Sequence, residues 1–348
     1  MGNKPREDLG AELMHVLITG AAGMIGRKLT ERLLADPELG GRPVTKLTLH
    51  DVVAPHAAST PLAAPTPQTS ILPIVGDISD KVLVEHLIAE KPDLIVHLAA
   101  IVSGEAEADF AKGYAVNFDG TRLLFDEIRK AHYGARVLYA SSIAVFGAPF
   151  PDSIPDDFHL TPLTSYGTQK AVGEFLLADY TRRGFFEGIG IRLPTICVRP
   201  GAANKAASGF FSNIIREPLK GEEAILPVPD TVRHWLASPR AAAGFFLHAA
   251  RLATEAVGPR RNLTMPGLSV TVAEQIAALR AVAGDKAAAL IKAEPDETIS
   301  RIVSGWPQTF DASRACDLGF VADESFESII RTHIDDEHDG TAPIQALI

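Results

Sequence analysis

The stretch Ile18–Gly26, ITGAAGMIG, follows the apolar run Met14–Leu17 and carries glycine at positions 20, 23 and 26. Few patterns restrict a chain more. A strand that hands over to a helix through such a turn must bend sharply and leave its backbone open to a ligand. Gly20 can take the backbone angles the turn needs, Gly23 leaves room for a pyrophosphate, and Gly26 lets the helix pack near the strand. The first helical residues, Met24 and Ile25, then offer unpaired N–H groups and a partial positive charge to phosphate oxygens. No lysine completes a Walker-type loop. The pattern reads as a dinucleotide site.

The rest of the first 200 residues alternates strand-length apolar runs with helical spacing. Strands are expected at His15–Thr19, Leu47–Asp51, Ile71–Gly76, Leu94–Ala99, Arg136–Ser141 and Ile189–Arg199. Helices are expected at Ile25–Leu34, Val82–Ala89, Val116–Ala131 and Tyr166–Arg182. Near-continuous apolar strands separated by helices predict an α/β domain, a doubly wound parallel sheet of the Rossmann kind, over residues 14–200. Beyond Pro200 come Gly- and Pro-bearing loops and helical stretches near Phe210–Arg216, Arg240–Arg251 and Val272–Val282. They predict a smaller α+β substrate-binding domain over 201–334, with a part near 230–250 returning to the first. Ala54–Thr69 reads as a surface loop, 1–13 as an extension and 335–348 as a frayed tail.

Charge and cysteine content narrow the class. The net charge is −10 with no dense Lys/Arg run, which argues against nucleic acid and anionic membranes as partners. No window approaches ~18 consecutive apolar residues. Two cysteines exclude a disulfide framework, so a cytoplasmic setting is expected, and no metal site is.

Asp51 ends the second strand, where a carboxylate can accept hydrogen bonds from an adenosine ribose diol. The same charge would repel a 2′-phosphate, favouring NAD over NADP; a turn-forming aspartate is the alternative. In SYGTQKAVGEF, Tyr166 and Lys170 stand one helical turn apart on one face. An ammonium beside a phenol favours the phenolate, which can take a proton from a substrate hydroxyl as hydride leaves the same carbon. The fifth strand ends LYASSIAVFG, placing Ser141 and Ser142 at the carboxyl edge of the sheet, where ligands bind in such folds. A serine there can hold the substrate oxygen, or merely cap the strand.

Taken in order, these motifs, with GDI at Gly76–Ile78 and HLAA at His97–Ala100, resemble the extended short-chain dehydrogenase/reductases. That family contains nucleotide-sugar epimerases and dehydratases, and the resemblance covers about Met14 to Thr332. It implies that Asp77 and Ile78 sit by the adenine and that Leu98, Ala99 and Ala100 line the cofactor groove. It implies further that Asn117 stabilises the fourth strand and its helix, and that Leu193, Pro194 and Thr195 border the carboxamide. Lys170 would also hold the nicotinamide ribose. Ser142 matches the catalytic hydroxyl of the family, and Ser141 would touch the cofactor. A homodimer through the helices at 116–131 and 166–182 is implied as well, although their apolar positions can equally face the sheet.

Ile143-Ala144 follows Ser142 where dehydratases of the family carry an Asp-Glu pair, so elimination of water is disfavoured. Epimerisation, which needs the same Ser, Tyr and Lys, stays open, as does an NAD-binding protein without chemistry. The region RPGAANKAASGFFSNIIREPLKGEEAILPV, with TVRHWLASPRAAAGF, resembles members that oxidise the C2 hydroxyl of a four-carbon sugar acid. A small hydroxy acid needs a fixed cation for its carboxylate. Arg233 is the candidate, or a structural ion pair, with Arg240 and His234 behind it. Lys205 and Ser208 are candidates for the substrate hydroxyls.

Overall fold

The computed structural model describes residues 13–55, 69–201, 207–338 and 340–344. The extension up to residue 12, most of the Ala54–Thr69 loop and Lys205 lie outside them. The first half runs β1 (Met14–Thr19), α1 (Met24–Ala35), β2 (Arg42–Asp51), β3 (Ser70–Val75), α2 (Lys81–Ala89), β4 (Leu94–His97), α3 (Thr121–Ala131), β5 (Arg136–Ser142), α4 (Ser165–Arg182) and β6 (Glu187–Leu193). The second half adds β7 (Thr195–Ile196), α5 (Gly209–Leu219), β8 (Arg233–Ala237), α6 (Pro239–Arg251), β9 (Asn262–Thr264), β10 (Leu268–Thr271), α7 (Val272–Ala288) and α8 (Phe326–Glu337).

The main sheet has the order β3-β2-β1-β4-β5-β6-β9, and all of these pairings are parallel. Val16, Leu17 and Ile18 are all fully buried, as expected of a strand covered on both faces. Val16 and Ile18 pack with Leu29 and Leu33 of α1 and with Phe245 and Phe246 of α6. Leu17 faces the other way, among Val84 and Leu87 of α2, Phe125 and Ile128 of α3 and Leu177 of α4. Strand order reverses between β1 and β4, which opens a crevice at the carboxyl ends of the strands.

Several expectations need correction. The strand expected over Ile189–Arg199 breaks at Pro194: β6 ends at Leu193, and β7 joins a second sheet with β8 and β10. Proline has no N–H for the ladder, so the chain changes sheets there. Near 230–250, α6 packs under the main sheet, and further on β9 pairs with β6. Ahead of α3, Tyr114–Gly120 is π-helical rather than α-helical. The tail drawn as frayed from 335 is helical to Glu337, and Ala342 and Ile344 are buried against the second core. That core gathers Phe211, Ile214 and Ile215 of α5, Leu279 of α7, and Ile329 and Ile330 of α8.

Candidate active site

The glycine turn is shaped by close approach. Gly20 has φ +74°, and a Cβ there would lie 2.7 Å from the Ala99 nitrogen and 2.8 Å from the Leu98 carbonyl carbon. A Cβ on Gly26 would meet the Gly20 oxygen at 2.5 Å and the Ala21 Cα at 2.6 Å. Neither position admits a side chain without moving backbone. Gly23 is freer, its nearest obstacle being the Gly20 oxygen at 3.2 Å, and as N-cap of α1 it brings no side-chain cap. The N–H groups that open α1, at Met24 and Ile25, are thus left to a ligand.

The crevice walls are built around that turn. The Asp51 carboxylate accepts the Ala22 N–H at 2.9 Å, which fixes it at the rim. Leu98 donates its N–H to the Thr19 carbonyl at 3.0 Å, and the Ala99 N–H lies 3.3 Å from Thr19 Oγ1, so Leu98–Ala100 runs alongside the glycines. Asp77 is held by the Ser79 N–H and hydroxyl, while Ile78 turns into the core beneath Gly120. Asn117, buried in the π-helical turn, accepts from the Ile101 N–H and donates to the Ile101 carbonyl and Gln169. It braces the chain after β4. A pyrophosphate-bearing dinucleotide fits this cradle: two glycines a Cβ would block, an uncapped helix start and a carboxylate at the second strand end.

At the far end of the crevice the Ser142 hydroxyl caps its own turn, accepting the Ala144 N–H at 3.1 Å, and lies close enough to the Tyr166 phenol to lower its pKa. Gly167 makes that meeting possible. A Cβ there would fall 2.2 Å from the Ala144 carbonyl oxygen, so only glycine lets α4 start against the serine turn. Sequence reasoning passed over Gly167, although a glycine beside the tyrosine in a helical stretch was the available signal.

Burial raises the pKa of the Tyr166 phenol, and the opposing influences are the Arg199 charge and the Ser142 hydrogen bond. Lys170 donates to the Ala140 carbonyl at 2.8 Å, with its ammonium 5.1 Å from the Tyr139 ring centroid and 5.7 Å from that of Tyr166. Burial drives the Lys170 pKa down to about 8. Ser141 departs from expectation. Its hydroxyl points inward and donates to the buried Glu174 carboxylate at 2.5 Å, not to the crevice. Glu174 in turn receives Arg192 through Nε at 2.9 Å and Nη2 at 2.8 Å. A lone glutamate among helical apolar residues gave no sign of this.

On the other wall Thr195 follows the break at Pro194, near Leu193, and its hydroxyl pairs with His234 Nε2 at 2.7 Å. His234 Nδ1 lies 3.0 Å from the Pro307 carbonyl, which can only accept, so Nδ1 carries the proton and Nε2 accepts from Thr195. Burial holds this histidine neutral, with a pKa of about 4. Arg233 is engaged elsewhere, donating to the Ser269 carbonyl at 2.6 Å and pairing with Glu274 at 3.3 Å. Arg240 is committed to Asp336. Ser208 accepts from Arg199 Nη2 at 3.2 Å. Arg199 was not singled out in the sequence, because it reads there as the end of a strand.

Residues 16–259 match the NAD dependent epimerase/dehydratase family. The chain is 45% identical over 327 residues to the D-erythronate dehydrogenase of Cupriavidus necator, covering 93% of this chain and 98% of that one. It is 41% identical over 322 residues to the D-erythronate dehydrogenase of Haemophilus influenzae, covering 92% and 99%. Among solved structures, a nucleoside-diphosphate-sugar epimerase from Agrobacterium tumefaciens superposes with a TM-score of 0.91 at 59% identity, over 98% of this chain and 99% of that one.

Proposed function

The chain belongs to the NAD-dependent epimerase/dehydratase family, and we propose that it oxidises the C2 hydroxyl of D-erythronate to 2-dehydro-D-erythronate in sugar-acid catabolism. The reading rests on Ser142 and Tyr166 meeting at the far end of a dinucleotide crevice, where Gly167 lets the tyrosine helix start against the serine turn. NAD, the cofactor of the family, supplies the acceptor for the hydride. Tyr166 takes the C2 hydroxyl proton, and Ser142 orients that oxygen. Lys170, one helical turn from Tyr166, is the residue to hold the nicotinamide ribose. Asp51 holds the adenosine ribose. Ile143 and Ala144 offer neither acid nor base, so water is not eliminated.

Tyr166→Phe tests the reading. A general base typically contributes ~10²–10⁴-fold, so turnover should fall within that range while NAD still binds. Near-normal turnover would remove Tyr166 from the chemistry. The likeness to the Agrobacterium structure favours a second reading, nucleotide-sugar epimerisation with retained cofactor. Free NADH released on adding D-erythronate decides for the first; turnover of a nucleotide sugar without net NADH decides for the second.

The same reading sets the enzyme in the cytoplasm as a homodimer. Among the described residues no helix is long and apolar enough to cross a membrane. Leu124, Phe125 and Ile128 of α3 face the sheet, and the 63% exposure of Phe175 on α4 supports the packing of a second copy on that helix face.

A further inference from the structure

A 2-hydroxy acid bound for oxidation carries its carboxylate on the carbon next to the reacting one, where a fixed cation can grip both oxygens. We propose that this cation is Arg199, which grips the substrate carboxylate and so confines the site to 2-hydroxy acids. The assignment rests on the functional reading above.

Four observations lead to it. First, the Arg199 guanidinium is held in place by neutral groups alone: Nε donates to the Ile196 carbonyl at 3.1 Å and Nη2 to Ser208 Oγ at 3.2 Å. Second, its main chain is fixed at both ends, with the N–H on Ser212 Oγ at 3.0 Å and the carbonyl on Arg216 Nη1 at 2.8 Å. Third, among the described residues no carboxylate lies within ion-pair reach of Arg199, whereas Arg233 has Glu274 and Arg240 has Asp336. Fourth, its charge acts on both walls of the reaction site, lowering the pKa of the Tyr166 phenol against the rise imposed by burial and adding to the burial-driven fall at His234.

A half-buried guanidinium without a counter-charge is costly in an empty site and useful in an occupied one. Its fork matches the two oxygens of a carboxylate, and its pre-set geometry spares the ordering cost of a free side chain. On a 2-hydroxy acid the hydroxyl and the carboxylate sit on adjoining carbons. An alcohol oxygen on Ser142 and Tyr166 leaves the carboxylate one carbon further on, and Arg199, four residues past Thr195 on the facing wall, is the cation assigned to meet it. A neutral polyol would leave the cation bare, which is the stronger form of discrimination.

Arg199→Gln, Arg199→Lys and Arg233→Gln should be compared with the wild type on D-erythronate and NAD, with melting temperature and the NAD KM as checks on the fold. Charge-assisted hydrogen bonds of this kind correspond to roughly 10- to 150-fold, so Arg199→Gln should raise the acid KM by that factor and leave the NAD KM unchanged. Arg199→Lys keeps the charge without the fork and should give a smaller rise. Preference for D-erythronate over erythritol, which lacks the carboxylate, should narrow in both. Wild-type acid KM in either Arg199 variant, or a larger rise in Arg233→Gln, overturns the assignment. A wild-type enzyme that makes no NADH from D-erythronate overturns the functional reading instead.

Discussion

Glu174→Gln is the most informative perturbation of the scaffold beneath the site. The carboxylate is fully buried and takes Ser141 Oγ at 2.5 Å, Arg192 Nε at 2.9 Å and Arg192 Nη2 at 2.8 Å. Arg192 reaches on to the Asp156 carbonyl at 2.8 Å, with the Asp156 carboxylate itself 4.0 Å away. Glutamine keeps the shape but removes the charge, and it turns an amide N–H towards a guanidinium that can only donate. Breaking one side of a buried pair costs about 3–5 kcal/mol. A Coulomb estimate at ~4 Å with an effective dielectric of ~20 gives about 4 kcal/mol, in the same range. Equilibrium urea unfolding should show that loss. Glu174→Gln/Arg192→Met, which removes both charges, should recover part of it. Ser141→Ala should lose ~1.5–3 kcal/mol for one charged hydrogen bond and leave the NAD dissociation constant untouched. A single variant within ~1 kcal/mol of wild type, or a double variant worse than the single, would refute the argument.

Lys170→Met should stabilise the fold while abolishing turnover. The wild-type pKa of about 8 against an ordinary 10.5 means that the folded state disfavours the charged ammonium, by up to about 3 kcal/mol at neutral pH. A gain of ~1–3 kcal/mol in urea is expected at pH 7, shrinking as pH rises from about 8 towards 10.5, and a loss would sink the reasoning. Stability should fall on acidification below pH ~6.5, because burial holds His97 at about 3 and His234 and His333 at about 4. Their unfolded forms bind protons that the folded ones refuse, giving up to ~1.4 kcal/mol per pH unit for each, and a flat urea midpoint from pH 7 to 5 would contradict this. Asp51→Ala should relax discrimination against NADP in steady-state assays; equal use of both cofactors by the wild type would show that Asp51 does not set the choice.

The sequence alone determined the elements whose cause is local. Three glycines at a strand end can serve few other purposes, and uninterrupted apolar runs report strands buried on both faces, as in β1 and β4, so the sheet and the crevice at its carboxyl ends were legible. Tyr166, Lys170 and Ser142 could be named as candidates because each sits in a short motif. Tertiary structure decided what depends on residues far apart in the chain. Gly167 matters because of Ala144, Ser141 is claimed by Glu174, and Lys170 donates to the Ala140 carbonyl. Periodicity reports which face of an element is buried, but not which buried charge has found a partner. Pairing is set by packing between elements, and that is why Arg233 ends against Glu274 while Arg199, among the described residues, has neutral partners alone.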